Sequence, residues 1–210
     1  MAASGPLMGL VNNAGAALPG PLEYLPIEAF RRQLEISLVG QLLVTQLMLP
    51  ALFAAVRQRG EARVIMIGSI AGRVAGPVVG AYAAAKHGLA GMTGSLRAEL
   101  APAGIKVLLI EPGAISTPIW SRGIAAGDEF VPPPEARERY AAMLQAARVT
   151  ARHGAEKGLP PAVVAEVIRR ALTERNPAPR QVVGGDAKIM AAMVRLLPSR
   201  VVYRLVQSRR

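Results

Sequence analysis

Apolar residues fall along this chain in two rhythms. Residues 7–11, 63–67 and 105–110 are short, nearly continuous apolar runs, closed respectively by Asn12-Asn13-Ala14-Gly15, Gly68-Ser69 and Pro112-Gly113. Runs of that length without polar alternation read as strands buried in a parallel sheet. Between them the apolar positions recur at helical spacing. Residues 26–34 read as a short helix with Pro26 near its first turn, where a missing N–H is tolerated. Residues 38–57 read as a longer helix carrying Leu42, Leu43, Leu47 and Leu52, which Pro50 is expected to bend or split. Residues 72–80 read as a loop and residues 82–100 as an alanine-rich helix. Its Gly88, Gly91 and Gly94 are expected to allow close approach of another helix or the sheet, since each lowers helix propensity by about 1 kcal/mol relative to alanine. Strand, helix, strand, helix, strand predicts a parallel sheet with right-handed crossovers.

Beyond Gly113 the pattern loosens. Residues 134–151 and 161–174 read as helices, 181–183 as a short strand, and 189–206 as one or two amphipathic helices split near Pro198. No repeat and no linker divides the chain, so residues 1–210 are taken as a single domain, with basic amphipathic helices over 186–210. The absence of cysteine excludes disulfides and thiolate metal sites. His87 and His153 stand apart without ligand spacing, so no metal is expected. The net charge is +11, and Lys188, Arg195, Arg200, Arg204, Arg209 and Arg210 follow one another with no acid among them. No nucleic-acid motif accompanies them, and a positive balance equally suits a phosphate-bearing cofactor. No signal peptide is evident, and apolar runs are broken by charge, glycine or proline before bilayer-spanning length. A soluble, cytoplasmic protein is expected.

The chemistry concentrates in Tyr82-Ala83-Ala84-Ala85-Lys86, which sets a phenol and an ammonium on one helix face. A nearby cation and the helix N-terminus favour the tyrosinate, and a phenol of ordinary pKa of about 10 needs such help near neutrality. A Tyr/Lys pair alone is common on solvated helices. Ser69, thirteen residues earlier and just past a buried strand, changes that reading. It lies at the carboxyl end of the sheet, where open α/β folds bind ligands. Taken alone, it would be a loop serine or a helix cap.

With these residues stand Leu10-Val11-Asn12-Asn13-Ala14-Gly15, Gly68-Ser69-Ile70-Ala71-Gly72 and Glu111-Pro112-Gly113-Ala114-Ile115-Ser116-Thr117. In order and spacing, over roughly residues 7–120, the set resembles the short-chain dehydrogenase/reductase family. Gly72-Arg73-Val74 and Thr117-Pro118-Ile119-Trp120 look most like its branch acting on retinoid- and steroid-like alcohols. The resemblance implies a Rossmann-like, doubly wound parallel α/β sheet and an NAD- or NADP-dependent oxidoreductase of an apolar secondary alcohol or ketone. It implies Tyr82 as general acid/base, Ser69 orienting the substrate oxygen, and Lys86 lowering the Tyr82 pKa and binding the nicotinamide ribose. Asn12, Ala14 and Gly15 would line the cofactor cleft, and Pro112, Gly113, Ile115 and Thr117 would face the nicotinamide. Trp120, Tyr140 and Met143 would lie in the substrate-cleft region, although core packing explains each as well.

Two departures follow. The family usually has asparagine where this chain has Ser37, so a weakened or rearranged proton relay is expected, and Ser37→Asn is expected to raise turnover. No glycine-rich turn precedes Asn12, so the family's first three strands and pyrophosphate loop are expected to be missing. The strand at 7–11 would then be an exposed, pairing-prone edge. The alternative to an enzyme is an inactive remnant acting as an interaction or oligomerisation module. Family likeness also implies a homo-oligomer through the helices at 38–57 and 82–100. The basic C-terminal helices are expected to cover the pocket or pack on the body, with a peripheral membrane contact as the less favoured reading.

Overall fold

The computed structural model describes residues 5–129 and 132–207. Four strands, β1 Gly9–Asn12, β2 Ala62–Ile67, β3 Ile105–Pro112 and β4 Arg180–Val183, form one parallel sheet in the order β1-β2-β3-β4. The register sets Leu10 beside Val64, Val64 beside Val107 and Leu109 beside Arg180. All six residues of β2 are buried, as the unbroken apolar run predicts.

Alternate side chains of the central strands feed two cores. Val64, Met66, Val107 and Leu109 pack with Leu52, Leu89, Leu96 and Leu100 on one face. Ile65, Ile67, Leu108 and Ile110 pack with Ala171, Val167 and Ile168 on the other. Helices on both faces make the sheet doubly wound.

Helix α1 (Ile27–Leu34) passes through a wide π turn (Glu35–Val39) directly into α2 (Gly40–Arg59). This corrects two expectations. Pro50 lies inside α2 without ending it. The carbonyl it frees is that of Gln46, an exposed residue whose backbone can turn to water. Residues Ile27–Arg59 therefore form one helix long and apolar enough, by length and composition, to cross a membrane, against the expectation that every apolar run breaks before bilayer-spanning length.

Helix α3 (Gly80–Leu100) packs beside this long helix. Gly88 meets the expectation of close approach: a β-carbon there would come within 2.9 Å of Leu38. Gly91 and Gly94 do not, since nothing lies within 4 Å of a β-carbon at either position. Past β3 the sequence reading missed α4 (Ile119–Glu129), which precedes α5 (Pro134–Lys157) and α6 (Pro161–Thr173). After β4 come α7 (Gly185–Leu196) and α8 (Ser199–Gln207), separated at Pro198 as the pattern predicts. Arg209 and Arg210 lie outside the described residues. β1 is an edge of the sheet, and Leu7, Met8 and Val11 beside it are exposed.

Candidate active site

Each candidate segment emerges from the carboxyl end of a strand. Asn12 is the last residue of β1, Ser69 follows β2 by two residues, and Pro112 ends β3. Tyr82 and Lys86 stand in the first two turns of α3.

The Ser69 turn is clamped from two sides. Ser69 caps a short 3-10 turn (Ile70–Gly72), its oxygen accepting the Ala71 N–H at 3.1 Å. Gly72 then runs so close to α3 that a β-carbon would stand 2.7 Å from the Lys86 carbonyl oxygen; only glycine permits that approach. On the other side Arg73 donates to Glu111, which also accepts from Arg180 at 2.5 and 2.6 Å. Glu111 is completely buried. Burial alone would raise its pKa, but hydrogen bonds and charge from Arg180 and Arg73 outweigh that and hold it below the usual carboxylate range. The carboxylate thereby ties the Ser69 turn to the ends of β3 and β4.

The Ser69 side chain stands close enough to the Tyr82 phenol to favour its ionised form. Ser69 thus takes the capping role that a lone loop serine would have, and it stands beside the phenol as well. The pKa of Tyr82 departs from the expected direction. Burial raises it, the Ser69 hydroxyl beside it opposing only in part. The ammonium of Lys86 stands 5.8 Å from the ring centroid and donates instead to the Ile67 carbonyl at 2.8 Å. Lys86 is itself buried, and desolvation brings its pKa down to about 8.

The loop after Asn12 rests on a polar stripe that sequence reasoning missed apart from Ser37. Gln33, Ser37, Gln41 and Thr45 follow at intervals of four along the long helix, and each is at most 2% exposed. In a regular α-helix a four-residue step drifts by about 40° per step; the π turn at Glu35–Val39 takes up part of that drift. Thr45 accepts from Asn12 Nδ2 at 2.8 Å, and Gln41 donates to the Ala14 carbonyl at 2.9 Å. Gln33 donates to the Ala16 carbonyl and to Ser37, both at 2.8 Å, and accepts the Leu18 N–H at 2.8 Å. Ser37 accepts the Ala16 N–H at 3.3 Å. Gln41 Oε1 is buried without a partner.

The segment from Pro112 to Thr117 is fixed separately. The Gly113 N–H donates to the Val183 carbonyl at 2.8 Å, and the Ala114 N–H to Asp186 at 3.0 Å. Ile115 bridges to Leu159 and its carbonyl accepts from Trp120 Nε1 at 2.6 Å. The structure therefore brings together Ser69 with Tyr82, and Gly15 with Lys86 and Ser37, while Ile115 is held by Trp120 of α4 and by Leu159 in the connection before α6, and the Thr117 carbonyl accepts the Trp120 N–H. Trp120 also packs against Gly154 of α5. Tyr140 instead reaches the loop after β1, donating to Glu23 at 2.6 Å and standing edge-on to Tyr24. A cavity of about 470 Å3 lies at the opposite ends of the strands, by Glu61, Arg97 and Pro179. Another of about 360 Å3 lies between Arg73 and α7. Neither is lined by Ser69, Tyr82 or Lys86.

A doubly wound parallel sheet with a serine, a tyrosine and a buried lysine brought together at its carboxyl end defines a Rossmann-like α/β protein. Residues 1–125 match the family model of the short chain dehydrogenases, and the chain belongs to that family. It is 34% identical to an NADPH-dependent 3-dehydrocapnine reductase of Ornithobacterium rhinotracheale, over 93% of this chain and 68% of that protein. It is also 34% identical to mouse (Mus musculus) retinol dehydrogenase 5, over 93% of this chain and 62% of that one. Its fold superposes on a short chain dehydrogenase from Burkholderia cenocepacia in complex with NADP, with a TM-score of 0.69 and 27% identity, covering 94% of this chain and 68% of that one. Among such relatives the matched part is between 42% and 68% of their own length.

Proposed function

We propose that this chain carries the catalytic part of an NAD(P)-dependent oxidoreductase acting between a secondary alcohol and its ketone. The observation that carries the reading is the convergence at the carboxyl end of the sheet of Ser69 and the Tyr82 phenol, with Lys86 buried one turn further along α3. The bound nicotinamide supplies hydride acceptance or donation; the chain supplies position and proton transfer. Lys86 spends one N–H on Ile67 and keeps others for ribose hydroxyls. The Asn12–Gly15 loop, held from below by Gln41 and Thr45, forms one wall of the cofactor cleft. Pro112, Gly113, Ile115 and Thr117 form the wall facing the nicotinamide.

Ser69 orients the substrate oxygen, and Tyr82 exchanges its proton with that oxygen. A phenol whose pKa is raised by burial donates poorly and is a strong base when ionised, so Lys86, held by cofactor hydroxyls, would be the group that brings Tyr82 nearer neutrality. An apolar substrate is supported by the likeness to a retinol dehydrogenase. The free β1 edge is read as the side on which further strands of the family sheet add.

Assembly is proposed through the long helix and α3. Leu43 and Leu47 of α2 are 52% and 64% exposed, with Val39, Val44 and Met48 exposed beside them, and α3 offers the open Gly91 and Gly94. Cytoplasmic placement is proposed too, with the apolar stripe against a second copy rather than lipid. The test is a screen of secondary alcohols and ketones with NAD(H) and NADP(H). Turnover lost in Tyr82→Phe by a hundredfold or more, with cofactor affinity retained, is expected; turnover surviving in Tyr82→Phe contradicts the reading and leaves the module without catalysis as its replacement.

A further inference from the structure

Ser37 stands where the family usually has an amide, and its surroundings replace what the shorter side chain lacks. Its oxygen accepts two hydrogen bonds, from Gln33 Nε2 at 2.8 Å and from the Ala16 N–H at 3.3 Å. A hydroxyl has two lone pairs and one hydrogen. With both lone pairs engaged, Ser37 has only its O–H left to give, and no acceptor for it is found among the described residues. The place a β-carbon would take on Gly15 is 3.8 Å from Lys86 Nζ and 3.9 Å from Ser37 Oγ. Lys86 and Ser37 therefore flank one small space that the glycine leaves open.

We infer that Gln33 is a positioning residue for the reaction, which holds the Ser37 oxygen so that its O–H is presented across the space at Gly15 to Lys86 through a bridging water. This rests on the oxidoreductase reading above. The amide function is divided here between two residues one helical turn apart. Gln33 is itself immobilised, by Leu18 N–H on its oxygen and the Ala16 carbonyl on its nitrogen, and it is fully buried. The inference also revises the expectation for Ser37→Asn. A longer amide at that position runs into Gln33, so the substitution alone brings no gain in turnover.

The groups facing Lys86 are few. Tyr82 shares its helix, the Ile67 carbonyl comes from β2, and Gly15 comes from the loop after β1. The long helix contributes neutral Gln33 and Ser37, and no ion pair to Lys86 is present among the described residues. Titration of the Lys86 ammonium accordingly reads out this space directly, without substrate or cofactor.

The experiment follows the Lys86 side chain by NMR of carbon-13-labelled lysine across pH in the free protein. A water oriented by Ser37 solvates the ammonium, so Ser37→Ala and Gln33→Met each lower the Lys86 midpoint by roughly half a pH unit. The double variant falls no further than Ser37→Ala, because Gln33 acts through Ser37. Gly15→Ala, whose methyl fits at ordinary contact distance but displaces the water, also lowers it. An unmoved midpoint in Gln33→Met, or two shifts that add, overturns the inference. If Gln33→Met does not fold, the wild-type Gln33 side-chain amide resonance takes its place. That signal is expected to follow the Lys86 midpoint, and its failure to do so equally overturns the inference. Cofactor affinity, measured separately, reports on the oxidoreductase reading, so the two fail independently.

Discussion

The long helix running from Ile27 to Arg59 has two faces of opposite and unusual character. The face toward the sheet carries Gln33, Ser37, Gln41 and Thr45, all buried; the face away from it carries Val39, Leu43, Leu47 and Met48, all exposed. A surface helix of a monomeric protein has the reverse arrangement. Burying polar groups is unfavourable unless they find partners, and here the partners come mainly from Asn12 and the loop that follows it. Exposed apolar residues in a row mark a contact with another chain. One continuous element thus turns its buried polar groups to the candidate site, and its outer apolar row is the face proposed above for assembly.

The largest effect expected from breaking this pattern is on the outer face. Leu43→Glu with Leu47→Glu places like charges across a two-fold contact and weakens self-association at least a hundredfold, measured by analytical ultracentrifugation. An unchanged mass in solution removes the outer face from the interface.

Next comes the lysine that the inner face looks toward. Lys86 binds its proton less tightly folded, at about 8, than at its ordinary 10.5. Between those values the unfolded chain holds more protons, so stability rises as pH increases from about 8 towards 10. Lys86→Met removes that rise, a difference on the order of 2–3 kcal/mol in denaturant unfolding compared at pH 7.5 and pH 10. Parallel pH dependence in both proteins contradicts the buried, unpaired ammonium.

Within the stripe, Thr45→Val leaves Asn12 Nδ2 with only the Met66 sulfur as acceptor. A loss of about 1–2 kcal/mol is expected, seen as a fall of a few degrees in Tm. Gln41→Met is expected to be milder, within about 0.5 kcal/mol. It surrenders the bond to Ala14 but also removes the buried carbonyl oxygen that lacks a partner. A cost for Gln41→Met greater than that for Thr45→Val would show that the Gln41 carbonyl oxygen is hydrogen-bonded rather than orphaned.

The strands, α3 and the Ser69, Tyr82 and Lys86 set were legible in the sequence because each rests on local pattern: unbroken apolar runs, an alanine-rich helix, a four-residue spacing. The polar stripe was not. Gln33, Gln41 and Thr45 are polar helix residues that carry no local signal of burial, and only the packing of the helix on β1 and the loop after it shows that they face inward. The π turn leaves no composition signal, since Glu35-Ile36-Ser37-Leu38-Val39 is unremarkable for an α-helix. Helix α4 was hidden by Gly123 and Gly127, which weaken local propensity while leaving room for Ala17 and Pro19 of the facing loop. The raised Tyr82 pKa could not be anticipated from spacing, because it follows from burial of the phenol and from Lys86 donating to Ile67 instead.

The most direct test of the account is fluorescence titration of the folded chain with NADH and NADPH, in the wild type and in Lys86→Met. Micromolar binding by the wild type, weakened tenfold or more in Lys86→Met, is the predicted result. No binding up to millimolar cofactor, in a sample shown to be folded, contradicts it and leaves the acid/base centre without a cofactor to serve.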